Sequence, residues 1–253
     1  MTNYLHKVLP PQYSHVNKVY CLLAATVFCA LPLCSTEAAA ENILKYDGTT
    51  NIHGNAKTWA AKNEYDGIDI RVTGVDGGYY TDTTEALVLN NQTLNVKGKG
   101  KFVSIINTAQ NKQIDNNGGI YAKGGSTVNF TDVDSIYIAA IAGKEGGNDS
   151  TVISAKDPGR DLKGYTNIVN ISGTTVQLIG SIDVMHSLGS VFFNRNARHT
   201  VNAALSGSDS FWYGSAIGET DERTTVNLSL ADGATWIFNA GKSTLNALSL
   251  IHI

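Results

Sequence analysis

Cysteine is scarce in this chain and confined to its beginning. The 253 residues include three cysteines, Cys21, Cys29 and Cys34, all within the first forty positions. From residue 41 onward the sequence offers no thiol for a disulfide, a catalytic thiolate or a metal ligand. We therefore expect the folded part to be stabilised by the packing of repeated elements and not by covalent cross-links.

Proline and charge are scarce as well. After residue 40 the only proline is Pro158, and strands inside a sheet cannot give up the N–H that proline lacks. This scarcity is typical of long stacked sheets. Charged residues make up 16% of the chain and the formal net charge is -3. That composition provides no basic stripe for nucleic acid and no polybasic membrane patch, so we expect no nucleic-acid partner.

Recognised catalytic and metal-binding motifs are missing. Residues 207–210 read Gly-Ser-Asp-Ser, which is not the Gly-Asp-Ser-Gly order around the nucleophile of a serine protease. The histidines beyond residue 40 are scattered, and no pair has the H-E-x-x-H spacing of a zinc site. They are His53, His186, His199 and His252. We predict no catalytic residue, no cofactor and no metal, and we expect these histidines to be surface or packing residues.

Two aspartates are the candidates for an alternative enzymatic function. Asp132 and Asp134 lie two residues apart, a spacing that places both side chains on one face of a strand. A β-helical carbohydrate-active hydrolase or lyase would need such paired carboxylates. The simpler interpretation is a polar turn between Phe130 and Ile136.

The first forty residues have the features of a leader. Lys7 and Lys18 precede an apolar stretch at 19–33, and three alanines at 38–40 provide an A-x-A-like cleavage site. The apolar stretch is shorter than the roughly 20 residues of a membrane-spanning helix, and the residues before Cys34 are not the small ones of a lipoprotein signal. We therefore expect residues 1–40 to be a signal peptide and residues 41–253 to form one domain.

A four-residue word recurs along that domain: usually Thr, then an aliphatic residue, Asn and an apolar residue. Successive copies are separated by 34, 41, 32, 25 and 19 residues. The copies are residues 93–96, 127–130, 168–171, 200–203, 225–228 and 244–247. Apolar and polar residues alternate within most copies, which is the period of a strand with one buried face. A strand repeated at unequal spacing predicts a solenoid whose coils carry loops of variable length.

The repeat leads to three local expectations. The insertions at 107–119, 143–149 and 155–164 are expected to be loops, either projecting recognition loops or plain connections. Asn91 is expected in the left-handed conformation of a tight corner. The repeated asparagines, such as Asn129, Asn170 and Asn227, are expected to stack as a hydrogen-bonded ladder. Aromatic residues expected in the core or capping it are Phe102, Phe130, Trp212, Trp236 and Phe238.

The end of the chain carries a family resemblance. Residues 226–228 read Val-Asn-Leu, residues 231–236 read Ala-Asp-Gly-Ala-Thr-Trp and residues 243–246 read Ser-Thr-Leu-Asn, while residues 210–214 look like the preceding coil. This stretch, about 200–250, resembles the passenger domains of bacterial autotransporters of the pertactin and AIDA type. The resemblance implies an all-β fold, a single right-handed parallel β-helix preceded by a signal peptide.

The resemblance also implies a function. We expect a non-enzymatic, surface-displayed passenger that serves adhesion or self-association, with a purely structural spacer as a third possibility. Its partners would be glycans or proteins of a host surface or extracellular matrix, or other copies of itself. The full-length protein would end in an outer-membrane barrel, which the 253 residues lack. We therefore expect a truncated chain: periplasmic as given, and at the cell surface, in the outer membrane or secreted when full length.

Overall fold

The computed structural model describes residues 42–51, 63–76, 83–108, 116–141, 150–156, 164–184, 197–218, 223–238 and 248–252. The expected signal peptide, the insertion at 143–149 and residues 157–163 of the third insertion lie outside these ranges. Every regular element within the ranges is a strand. They contain no helix that is long and apolar enough to cross a membrane.

The strands are paired in parallel throughout the described residues. In chain order they are β1 (Ile43–Asn51), β2 (Gly67–Asp76), β3 (Thr83–Asn90), β4 (Thr93–Lys97), β5 (Phe102–Asn107), β6 (Asn116–Lys123), β7 (Thr127–Ala140), β8 (Thr151–Ala155), β9 (Thr166–Ile179), β10 (Ser181–Asp183), β11 (Arg198–Ser206), β12 (Phe211–Gly214), β13 (Ala216–Ile217), β14 (Thr224–Ala231), β15 (Thr235–Phe238) and β16 (Leu248–His252). Successive coils stack strand on strand, so the predicted class, an all-β parallel β-helix, is confirmed.

Strands of neighbouring coils pair into three faces. The first face consists of β4, β11, β14, β16 and the first halves of β7 and β9. The second face consists of β1, β2, β5, β12, β15 and the second halves of β7 and β9. The third face is the five-stranded sheet of β3, β6, β8, β10 and β13. Because β7 and β9 are 14 residues long and continue around a corner, the first two faces form one eleven-stranded sheet.

The repeated words lie opposite one another on the first face. Asn95 is the register partner of Asn129, Asn129 of Asn170, Asn170 of Asn202 and Asn202 of Asn227. The words align although 25 to 41 residues separate them. The differences in length are therefore taken up elsewhere in each coil, as the unequal spacing predicts.

The sixth word does not continue this column. Strand β14 pairs with β16 so that Val226 lies opposite Leu248 and Asn227 opposite Ser249. Residues 244–247, the sixth copy of the word, lie outside the described ranges. Leucines at 248 and 250 form the more apolar alternation, and strand register follows the hydrophobic pattern.

Alternate residues of the strands fill the interior. In β14 the burial alternates strictly, with Thr224, Val226, Leu228 and Leu230 buried and the residues between them half-buried. The largest fully buried side chains are Trp212 and Phe130, together with isoleucines and leucines from all three faces. For Phe130 and Trp212 the expected place in the core is confirmed.

Of the other three aromatic residues, Trp236 is partly buried and packs against the core, which agrees with the expectation, and two differ from it. Phe102 occupies an outward position, where its ring lies against Gly67 and is partly exposed. Phe238 is 51% exposed and meets Trp236 edge-on. Apolar character alone therefore placed Phe102 wrongly, because its position in the period of two points outward.

Polar residues in the left-handed conformation turn the chain at its corners. Asn91 has a φ of 54°, Asp132 of 59° and Asp232 of 53°, and short polar side chains tolerate this region best. The prediction for Asn91 is confirmed. The loop predicted over 107–119 is shorter than expected, since β6 begins at Asn116. Its Gly119 packs against the backbone of Val152, where a Cβ would not fit.

Candidate functional site: the asparagine ladder and its groove

Asparagine side chains form a continuous ladder on the outer surface of the first face. The members are Asn95, Asn129, Asn170, Asn202 and Asn227. In each step the Nδ2 of one amide donates to the Oδ1 of the asparagine in the preceding coil, at 2.9 Å in the first step and 2.7 Å in the other three. Nδ2 of Asn95 donates to the carbonyl oxygen of Asn63 at 3.0 Å. The predicted ladder is confirmed.

Each ladder amide retains hydrogen-bonding capacity. A side-chain amide carries two N–H donors and an oxygen with two lone pairs. In Asn129, Asn170 and Asn202 the ladder uses one donor and one lone pair, and no second partner lies among the described residues. The amides are half-buried and held from both sides. The face therefore presents oriented donors and acceptors that repeat at the strand spacing of about 4.8 Å.

Two outward columns flank the ladder. The column two residues before it is mostly threonine: Thr93, Thr127, Ile168, Thr200 and Thr225. The column two residues after it contains Ser172, Ala204 and Ser229, which are register partners in three successive coils. The surface on both sides of the ladder is therefore rich in hydroxyl groups.

A shallow groove opens where Ala204 lies between the two serines. Its volume is about 260 Å³. The lining residues are Thr131, Asn170, Ile171, Ser172, Asn202, Ala203, Ala204, Asn227, Leu228 and Ser229. Ala204 is exposed, and its short side chain leaves room beside the three ladder amides. We call this feature the Ala204 groove.

The surface of the Ala204 groove is uncharged and mostly apolar. Its lining contains amides, hydroxyls and aliphatic groups but no Lys, Arg, His, Asp or Glu. A general acid or base must lie within hydrogen-bond reach of the reacting group, and the lining provides none. The volume is slightly below the 300–1,000 Å³ typical of small-molecule sites, which fits one small ring and not an extended ligand.

The ion pairs of the described residues involve no residue of the groove lining. Lys101 forms an ion pair with Asp66 at 3.2 Å. The N–H of Asn42 and the ammonium of Lys101 hold the pKa of Asp66 below its usual value. On the third face, Lys156 bonds Asp183 at 2.6 Å.

The candidate carboxylates Asp132 and Asp134 lie at an exposed corner between the first two faces. The N–H of Asp132 donates to Oγ of Ser172 at 3.2 Å, and Oδ2 of Asp134 accepts the N–H of Gly100 at 3.1 Å. The strand register shifts between Phe130 and Val133, so the spacing of a regular strand does not apply here. This geometry matches a polar turn that binds neighbouring coils together.

One of the four histidines beyond residue 40, His199, is packed in the interior of the solenoid. His199 is completely buried, and its Nδ1 lies 3.1 Å from Nδ2 of Asn167. Oδ1 of Asn167 accepts the N–H groups of Gly125 and Ser126, both at 2.9 Å. Ser126, Asn167 and His199 thus form a buried polar column that joins three coils where the strands of the first face begin. His186, considered beside His199 as a possible site, lies outside the described residues.

The described residues contain no group of three or more His, Cys, Asp or Glu that could hold a metal ion.

Sequence reasoning found the ladder but missed the groove. A signal for it was present: the position two residues after the word's asparagine is serine at 172 and 229 but alanine at 204. Superposing the words reveals this gap in the column. Its shape, however, depends on how the side chains of three coils pack together, which the words alone do not show.

Comparisons with protein-family models, with curated proteins and with solved structures gave no match to this chain.

Proposed function

We propose that this chain is the passenger part of an autotransporter-like surface protein that acts without catalysis, in adhesion or self-association. The observation that carries the proposal is the first face. It is a ladder of five asparagines on a parallel β-helix, bordered by hydroxyl groups and by a groove without titratable residues. Such a surface recognises partners through hydrogen bonds and holds no assembled catalytic set.

The sequence supports the same class of protein. Residues 200–250 resemble autotransporter passengers. Within this stretch, Trp212 of β12 lies opposite Trp236 of β15. The segment Phe211–Gly214 therefore lies one coil before the segment Thr235–Phe238.

The absence of cysteine after residue 40 supports export through a narrow pore. A chain without disulfides can pass as an extended polypeptide and fold afterwards, one coil upon the last. Stability then comes from the apolar interior and from the stacked backbone and side-chain hydrogen bonds, which need no oxidant.

The test is to place residues 1–253 in front of the membrane barrel of an autotransporter in a Gram-negative host. We expect the isolated passenger to begin at Glu41, to be removed when protease is added to intact cells, and to increase binding to immobilised matrix or clumping of the cells. A matched control carries Leu22→Arg and Leu23→Arg, which interrupt the apolar part of the leader and should keep the chain inside.

Two results would contradict the proposal. An uncleaved leader with a protease-protected chain would overturn the assignment as an exported passenger. Full display without any gain in adherence or clumping would overturn the adhesive role and favour a spacer.

A further inference from the structure

We infer that the Ala204 groove binds one ring of a neutral saccharide, through the side-chain amides of Asn170, Asn202 and Asn227. The inference rests on the adhesive function proposed above and gives that function a partner class: a hydroxyl-rich, uncharged glycan. It concerns a site of three coils and not the whole face.

The ladder amides among the residues lining this mostly apolar groove can pair with a sugar hydroxyl. A hydroxyl group donates one hydrogen bond and accepts others. Asn170 and Asn202 each have one N–H and one lone pair beyond the ladder, and the ladder bonds hold both amides in place. Hydroxyls on adjacent carbons of a pyranose could each take a donor and an acceptor from this array. Because the amides are already oriented, little side-chain entropy is lost on binding.

The neutral lining selects against charged ligands. The groove contains no cation, so a carboxylate, sulfate or phosphate bound there would lose hydration without gaining an ionic partner. A peptide strand is also a poor match, since strand addition requires unpaired backbone at a sheet edge. The backbone of β11 at the groove is already paired with β9 on one side and β14 on the other.

The floor of the groove suits the C–H face of a sugar. Ala204 contributes a methyl group between the hydroxyls of Ser172 and Ser229. No aromatic ring lines the groove, so there is no stacking platform to strengthen binding. We therefore expect a weak site, with a dissociation constant on the order of 1 mM. Many copies displayed on one cell would raise the overall avidity.

The experiment is a titration of the full chain, labelled with nitrogen-15, by methyl galactoside, methyl glucoside and methyl N-acetylglucosaminide, followed in two-dimensional NMR spectra. We expect saturable shifts of the side-chain NH₂ signals of Asn170, Asn202 and Asn227 with at least one of these probes. Sialic acid, which is charged, should shift them little.

Three variants locate the site. Ala204→Tyr fills the groove from an exposed position and should weaken binding at least ~10-fold, equivalent to the loss of about 1.4 kcal/mol. Ala204→Ser copies the neighbouring coils and should retain binding within about threefold, since the hydroxyl leaves the groove open. Thr93→Tyr adds the same ring to the first face at an exposed position outside the groove lining and should also retain binding.

Several results would overturn the inference. These are an absence of amide shifts with all three neutral probes, undiminished binding by Ala204→Tyr, or equal shifts with sialic acid. Shifts of the same signals that grow with protein concentration alone would also overturn it, because a second copy would then occupy the groove. Failure of surface display, by contrast, would refute the proposed function and leave sugar binding by the purified chain as a separate result.

Discussion

The side-chain amide of Asn202 donates to the amide oxygen of Asn170 at 2.7 Å, although 32 residues separate them in the chain. The two asparagines hold the same position in successive copies of one strand word, and the backbone pairs them in register. The contact is therefore a direct consequence of the repeat. It also fixes the amides that border the Ala204 groove.

Replacing Asn170 by Asp should destabilise the solenoid. A carboxylate cannot donate to Oδ1 of Asn129, so a bond of 2.7 Å becomes a contact between two acceptors. The bond that Asn202 donates to residue 170 is retained. We expect a loss of about 1–2 kcal/mol in the free energy of unfolding, measured by urea titration.

The control for added charge is Ser229→Asp, which places a carboxylate on the same face without removing a ladder bond. It should change the free energy of unfolding by less than about 0.5 kcal/mol. Equal effects of Asn170→Asp and Ser229→Asp would mean that the ladder contributes no stability of its own.

Gly214→Ala should be among the most damaging of small substitutions. A Cβ at Gly214 would collide with the carbonyl oxygen of Gly180 in the preceding coil and lie 2.9 Å from Nε1 of Trp212. Since backbone must move, we expect a loss of about 3 kcal/mol. Gly218→Ala is the matched control, because its Cβ would meet Val184 and Thr224 at ordinary distances of 3.4 and 3.7 Å. Similar melting temperatures for the two variants would contradict the packing described at this corner.

The indole rings of Trp212 and Trp236 should stabilise their coils as a pair. They stack with centroids 5.1 Å apart and an interplanar angle of 6°. Each Nε1–H donates to a glycine carbonyl of the preceding coil, at 2.9 Å from Trp212 to Gly180 and at 3.0 Å from Trp236 to Gly214. We expect Trp236→Phe to cost about 1–2 kcal/mol, through the lost bond and a weaker stack.

A double-mutant cycle measures this pairing. Trp212→Phe, Trp236→Phe and the double variant should give a coupling free energy of at least about 0.5 kcal/mol. Additive single effects would show that the two rings contribute independently.

Stability should fall in alkali through Tyr137. Burial raises the pKa of its phenol above the ordinary value of 10.0. Above pH 10 the unfolded chain loses this proton while the folded chain keeps it, so the free energy of unfolding decreases as pH rises. Tyr137→Phe should show a shallower decrease between pH 9 and pH 11 in urea titrations. An unchanged pH dependence would show that Tyr137 ionises equally in both states.

The sequence predicts the first face well because two signals agree there. The alternation in residues such as Val226, Asn227 and Leu228 fixes which side chains point inward. The repeated asparagine then gives the register between coils, and the ladder follows. Asn91 is predictable for a local reason, since few residue types accept its left-handed φ of 54°.

Other features depend on contacts between distant coils. Asn116 to Gly119 has the composition of a turn, yet it belongs to β6 because Gly119 fits closely against the backbone of β8. The register of the last strand, in which Leu248 lies opposite Val226, is not given by the word at 244–247. The Ala204 groove likewise cannot be predicted from the sequence, because it forms only when β9, β11 and β14 are aligned.

The register of the words can be tested directly by engineered cysteines, since residues 41–253 contain none. Ile168 and Thr200 are register partners, and adjacent strands lie about 4.8 Å apart, within the range of about 4.4–6.8 Å between the Cα atoms of a disulfide. Oxidation of the Ile168→Cys, Thr200→Cys variant, followed by mass spectrometry of its peptides, should find the 168–200 disulfide. The Ile168→Cys, Asn202→Cys variant, shifted by two residues, should remain reduced. No disulfide in the first variant, or equal yields in both, would contradict the stacked words on which this account depends.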